Sequence, residues 1–293
     1  MKTKKWTYET TLVLLLLLGF GLAFMDRSRA AVLMPMIAPE FQATFAEAGL
    51  AIGIVGFTWG AFSIIGGSLS DRFGRKRILI PAMIIFSATS WIAGLARNIH
   101  HLTLVRGFMG IGEGTYLASS SAWVAEVSSP HRRGLNIGII YLGATLFGSA
   151  IGPIVMTMLA ASYGWRFPFM ALAIPGFILA VVIWFLTHEP PSILEKRKTK
   201  TTRKVQAPKL RILEILCFRN MILCIILSVF YMPLHLMHLM YGPLFMAQVM
   251  GWDIVTIGQV MAFLGIGGAI GMVYGGRISD YIGRKLTVII SYP

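Results

Sequence analysis

The sequence predicts an all-α membrane protein, made of one six-helix bundle and part of a second. Three observations predict it. Charged residues make up 13% of the 293 residues and hydrophobic ones 56%, against about 25% charged in a typical soluble domain. The charges gather in short clusters between apolar runs of about 20 residues, the length that crosses a bilayer. One of those clusters recurs half a chain later, again between two apolar runs. A mean hydropathy of +0.72 agrees. Together these features exclude a disordered chain and argue against an ordinary soluble enzyme.

The apolar runs cover 11–36, 46–69, 78–97, 101–123, 135–160, 166–187, 220–245 and 254–276. They are numbered here as spans 1 to 8. A ninth begins at Leu286 and reaches only Pro293, too short to span, so the sequence reads as incomplete at its C-terminus. Lys2, Lys4 and Lys5 followed by Leu12–Leu18 look like a signal peptide. However, Met25-Asp26-Arg27 stands where a small-residue cleavage site would be, so span 1 reads as an uncleaved helix. Cys217 and Cys224 are the only cysteines, which rules out a disulfide framework and a CxxC metal site. No metal and no cofactor are implied.

The net charge of +14 suggests nucleic acid until its location is read. Basic residues fill the N-terminus, the loop after span 2 (Arg72, Arg75, Lys76, Arg77), the loop after span 4 (Arg132, Arg133) and the segment after span 6 (Lys196 to Arg211). The opposite connections hold Arg97 and Arg166. Positive charge marks the cytoplasmic side, so the N-terminus and the even-numbered loops are expected there, in a multi-pass protein of the plasma (inner) membrane. The charge is then explained by topology and contact with anionic lipid rather than nucleic acid.

Residues 67–77, GSLSDRFGRKR, recur as residues 276–286, GRISDYIGRKL. Each copy follows an even-numbered span, so one unit is six helices. The predicted organisation is a six-helix bundle (1–187), a basic linker (188–219) and a partial second bundle (220–293). Leu210–Phe218 is expected as a short amphipathic helix on the membrane surface. Repeated halves around a central site are the architecture of secondary transporters.

The motif G-x-L-S-D-R-x-G-R-K-R between spans 2 and 3, with its second copy, resembles the signature of the major facilitator superfamily. That resemblance covers the whole chain. It implies twelve helices in two bundles and a substrate cavity between them. A complete cavity would then need helices 9–12, missing here or carried on another chain. It also implies a gating role for Gly67, Asp71, Arg72, Gly74 and Arg75, and for Asp280, Gly283 and Arg284 of the second copy. On physical grounds, Gly74 permits a tight turn and Asp71 can pair with Arg75.

Ionisable residues inside a span are costly and are functional candidates by default. Asp26 and Arg27 lie in span 1; Arg106 and Glu113 lie in span 4. The last two are seven residues apart, which puts them near one helix face with about 10.5 Å of rise between them. Gly107, Gly110, Gly112 and Gly114 let span 4 pack closely. FMDRSRAAVLMP with LVRGFMGIGEG resembles the anion:cation symporter branch of the superfamily. The resemblance implies that Arg27 contacts a substrate carboxylate, that Asp26 and Glu113 carry protons, and that Arg106 tunes Glu113. The competing reading is that these charges pair with one another to hold spans 1 and 4 together. Arg29 either pairs with Asp26 or faces the outer water layer.

Tyr231, His235, His238 and Tyr241 lie near one face of span 7 and could hydrogen-bond a substrate. Gly148 to Pro153 in span 5 reads as a packing site with a Gly-Pro kink, and it also resembles a motif of proton-coupled drug antiporters. The leading expectation is therefore a proton-coupled symporter of a small organic anion, a carboxylate or sugar acid. The alternatives are an efflux antiporter and a non-transporting remnant. A membrane enzyme fits poorly, since no nucleophile–base pair or phosphate loop is evident.

Overall fold

The computed structural model describes residues 8–190 and 219–283, with Leu286 and Ile290, and only part of the side chains beyond residue 218. The described residues form helices and no strand. In chain order these are α1 (Tyr8–Glu40), α2 (Phe45–Phe73), α3 (Arg75–Gly94), α4 (Ile99–Val127), α5 (Arg133–Gly143), a π-helical segment (Ala144–Ile151), α6 (Gly152–Tyr163), α7 (Arg166–Leu186), α8 (Arg219–Gln248) and α9 (Ile254–Ile282). The expected amphipathic helix at Leu210–Phe218 lies outside the described residues.

Six helices among the described residues are long and apolar enough to cross a membrane: α1, α2, α3, the rod Arg133–Tyr163, α7 and the Ile254–Gly271 part of α9. The chain is a multi-pass integral membrane protein. The α4 helix is as long, at 29 residues. It is less apolar because it carries Arg106, Glu113 and Ser119–Ser121, and its flanks pack on α2 and α3.

Each apolar run falls within a helix or a continuous helical rod, apart from the last three residues of span 3 and the last one of span 6, and most of the helices run past the run's ends. Hydropathy marks only the lipid-facing length, whereas the hydrogen-bond ladder continues until a cap stops it. Thr44 and Glu47 exchange side-chain and backbone hydrogen bonds at the start of α2. Asn98 accepts the His101 N–H at 2.7 Å to open α4. Gly74, at φ +113°, ends α2 and opens α3 within one residue. Gly283 follows α9 with φ +87°, so the sequence repeat is matched by the same left-handed turn position.

The α4 glycines bring backbones together as the sequence predicts. Gly114 lies against the Trp59 carbonyl of α2 and Gly112 against the Ala82 carbonyl of α3, and a Cβ at either would collide. The α1 helix crosses the bundle and touches α4, α7 and the α5–α6 rod; α8 packs on α1, and α9 packs on the rod.

In place of a simple Gly-Pro kink, span 5 carries the π segment. Pro153 has no N–H to offer Ser149, and the Gly152 N–H instead reaches back to the Phe147 carbonyl. The Ser149 carbonyl lies against Gly265 of α9, where a side chain would not fit. At the end of the bundle away from Gly74, Glu40 of α1 accepts the Trp165 indole N–H at 2.6 Å and pairs with Arg166 at 2.6 Å. Arg166, one of the two basic residues on the opposite connections, is thus part of a tie between α1 and α7.

Candidate functional site

The structure divides the intramembrane charges into two groups on opposite sides of α1. Asp26 and Arg29 point toward α3 and α7. They form an ion pair, both buried. Ser90 of α3 donates to Asp26 Oδ1 at 3.1 Å and accepts from Arg29 Nη2 at 2.9 Å. Arg29 Nη1 donates to the Pro168 carbonyl of α7 at 3.1 Å, and its guanidinium sits 3.9 Å from the centre of the Phe169 ring. The crevice beside Asp26, lined by Leu22, Phe86, Ser87 and Leu172, has no space for a water molecule. Of the two expectations for Arg29, pairing with Asp26 is the one found.

The second group faces α4 and α2. Arg27 Nη2 donates to Glu113 Oε2 at 3.1 Å; the Arg27 side chain is 15% exposed and that of Glu113 2%. The Arg27 guanidinium also stacks on Trp59 at 4.6 Å and Phe24 at 5.3 Å. Glu113 Oε1 has no hydrogen-bond partner among the described residues. Arg106, fully buried, donates from Nε to the Ala51 carbonyl at 2.7 Å, while Nη1 and Nη2 have no hydrogen-bond partner among the described residues. Arg106 and Glu113 make no hydrogen bond to each other. Asp26 and Glu113, paired in the sequence expectation as proton carriers, therefore occupy different environments.

The repeated Gly–Asp–Arg motif gathers at the Gly74 end. Arg75 binds Asp71 at 2.5 Å, Glu126 of α4 at 2.6 Å and the Ser70 hydroxyl at 3.1 Å. Asp71 itself is 65% exposed. Arg72 is exposed near the Phe73 ring, and Gly67 is half-buried against Ala118. Lys76 Nζ donates to the Trp184 and Thr187 carbonyls at 2.6 and 2.7 Å, and the Arg77 N–H donates to Glu189 Oε1 at 3.0 Å. The start of the linker is thereby held on the motif. The side chains of Tyr231, His235, His238 and Asp280, and all of Arg284, lie outside the described residues. Tyr241 is described, and its hydroxyl lies against Gly49 of α2.

Ser90, Phe169, Trp59, Glu189 and the carbonyls of Pro168 and Ala51 escaped the sequence reading. Trp59 offered a faint signal as an aromatic in an apolar run. A carbonyl offers none, since every residue has one.

A multi-pass helical bundle with charges paired across its helices and a glycine-turned basic motif at one end defines a polytopic α-helical membrane protein. The chain belongs to the Major Facilitator Superfamily, whose family model matches residues 16–293. It is similar to a hexuronate transporter of Bacillus subtilis, at 26% identity over 93% of this chain and 65% of that protein. It is also similar to a "Probable 4-methylmuconolactone transporter" of Cupriavidus pinatubonensis, at 30% identity over 93% of this chain and 63% of that protein. The chain thus spans somewhat under two thirds of the length of these relatives. Among solved structures, a bacterial homologue of the human lysosomal transporter Spinster, inward-facing and occupied, superposes with a TM-score of 0.79. That match has 22% identity and covers 95% of this chain and 63% of that one, and it shows the fold alone.

Proposed function

We propose that this chain is the larger part of a secondary transporter, of the anion:cation symporter type, that moves a small organic carboxylate together with a proton. The single observation that carries this reading is the Arg27–Glu113 pair, in which the partly exposed guanidinium holds a buried carboxylate. Such a pair couples two ligands. While Glu113 is ionised it occupies the Arg27 fork. A proton on Glu113 removes that partner and leaves the fork for a substrate carboxylate, so proton and anion favour one another. The named relative supports the substrate class, since a hexuronate is a sugar carboxylate. In this reading Arg27 binds the anion, Glu113 takes the proton, Arg106 biases Glu113 by its charge, and Asp26 is a structural partner of Arg29. Tyr231, His235 and His238 would meet the substrate from the second bundle. The organisation is a bundle at 1–187, a linker at 188–219 and part of a second bundle at 220–293. The N-terminus and basic loops face the cytoplasm of a plasma (inner) membrane.

The test is Arg27→Lys, which keeps the charge and loses the planar fork. Carboxylate binding, measured by radioligand or calorimetric titration, is expected to weaken about tenfold, the worth of one charge-assisted hydrogen bond. Unchanged affinity would reject Arg27 as the anion site.

The motif predicts a different phenotype. In a transporter completed by helices 9–12, Asp71→Asn is expected to slow turnover about fivefold at unchanged substrate affinity. Asp71 is largely exposed and Arg75 keeps Glu126 and Ser70, so only a modest pair is lost and only the conformational balance shifts. A loss of binding at normal protein yield would refute a gating role.

A further inference from the structure

The outer face of α3 and α7 carries a feature that the transport reading does not use. It is a groove of about 240 Å³ lined only by apolar side chains: Ile80, Ile84, Phe177, Val181, Trp184 and Phe185, with Ala180. Ile80 and Ala180 are buried and form its floor, while the other five are exposed and form its walls. Both helices are membrane-spanning by length and composition, and α8 and α9 pack on α1 and on the α5–α6 rod rather than here. The groove is therefore a cleft in a surface that faces hydrocarbon.

Its mouth is not apolar. Arg77 lies three residues before Ile80 and seven before Ile84, hence on the same face of α3. Its side chain is exposed and makes no ion pair among the described residues. Lys76 stands beside it, its ammonium 5.4 Å from the Trp184 ring and bonded to the last carbonyls of α7. Glu189 is the nearby acid, and it is turned to the Arg77 backbone N–H rather than to the guanidinium. Trp184 gives the mouth an interfacial aromatic. A long apolar cleft, an indole at its rim and a free guanidinium one turn further out match the three parts of a phospholipid in order.

We propose that this groove is a binding site for an anionic phospholipid, with an acyl chain laid along Ile80, Ile84 and Val181 and the phosphate on Arg77. Arginine suits the phosphate because its planar fork engages two oxygens. Lys76, committed to α7 carbonyls, adds charge rather than a second fork. The site lies outside the substrate path and does not depend on the transport assignment.

The test uses the 293-residue chain purified into nanodiscs or detergent and read by native mass spectrometry. Phosphatidylglycerol and phosphatidylcholine of identical acyl chains are titrated in parallel. Phosphatidylglycerol is expected to bind about fivefold more tightly, as one basic residue at an anionic surface provides. Arg77→Gln should erase that preference while leaving the weaker phosphatidylcholine binding. Ala180→Phe, which fills the floor, should lower binding of both lipids. Thermal unfolding of each variant in lipid-free detergent separates a lost site from a lost fold. If the two lipids bind equally to wild type, or if Arg77→Gln leaves the preference intact, the lipid is merely annular and the proposal fails. If the preference persists in Ala180→Phe at unchanged affinity, the headgroup acts without the groove, and the site as drawn is overturned.

Discussion

Proton-driven accumulation of substrate is expected to disappear in Glu113→Gln. The residue is 2% exposed, and one oxygen is held by Arg27 at 3.1 Å while the other has no hydrogen-bond partner among the described residues. The amide preserves the shape and can still accept from Arg27, but it neither gains nor releases a proton. In liposomes holding a transporter completed by helices 9–12, an imposed pH gradient should produce no more uptake than protein-free liposomes. Exchange of labelled for unlabelled substrate should persist, because exchange needs no net proton movement. If Glu113→Gln still concentrates substrate under the gradient, coupling lies elsewhere, and the Arg27–Glu113 contact is a structural tie between α1 and α4.

Arg29→Leu is expected to destabilise the chain by about 3–5 kcal/mol, the cost of leaving a buried partner charge uncompensated. Arg29 is fully buried and serves three groups at once, Asp26, Ser90 and the Pro168 carbonyl, while covering the Phe169 ring. Thermal unfolding in detergent would register the loss as a large fall in midpoint. The double variant Asp26→Leu with Arg29→Leu should recover much of it, since it removes both charges and leaves apolar volume. A single variant within about 1 kcal/mol of wild type would mean that Asp26 readily neutralises itself by taking a proton. Asp26 would then return as a candidate proton carrier.

The helices were legible because a bilayer imposes a length and a composition that can be counted along the chain. Of the end positions, the turn at Gly74 was legible, whereas the caps at Thr44 and Asn98 emerged only in the structure. What could not be read was direction. Asp26 and Arg27 are neighbours in sequence, yet about 100° apart around α1, and nothing in the sequence says which of them faces α3 and α7 and which faces α4. That choice is made by partners with no sequence signature, the Ser90 hydroxyl and the Pro168 and Ala51 carbonyls. The seven-residue spacing puts Arg106 and Glu113 near one face of a helix, but Arg106 is drawn off to α2 while Glu113 is drawn to α1. The π segment was equally hidden. Pro153 announces a missing hydrogen bond, and only the packing of Gly148 on Phe24 and Gly265 on Ser149 decides how the backbone absorbs it.

The intramembrane charges of α1 and α4 do not cancel. Among the described residues Asp26 balances Arg29, whereas Glu113 stands against both Arg27 and Arg106, which leaves one surplus positive charge when Glu113 is ionised. In the proposed cycle the empty carrier returns in that state. The carrier loaded with one proton and a singly charged acid carries the same charge, because the two ligands cancel. Both journeys then perform equal electrical work against the membrane potential, which weighs about 2.3 kcal/mol per charge per 100 mV. A doubly charged acid breaks the equality: its loaded form is neutral, and only the return of the empty carrier is driven or opposed by voltage. In that proposed cycle the valence of the cargo decides whether the membrane potential is felt at all, and the surplus guanidinium decides where: it moves the voltage-sensitive step for a doubly charged acid from the loaded carrier to the return of the empty one.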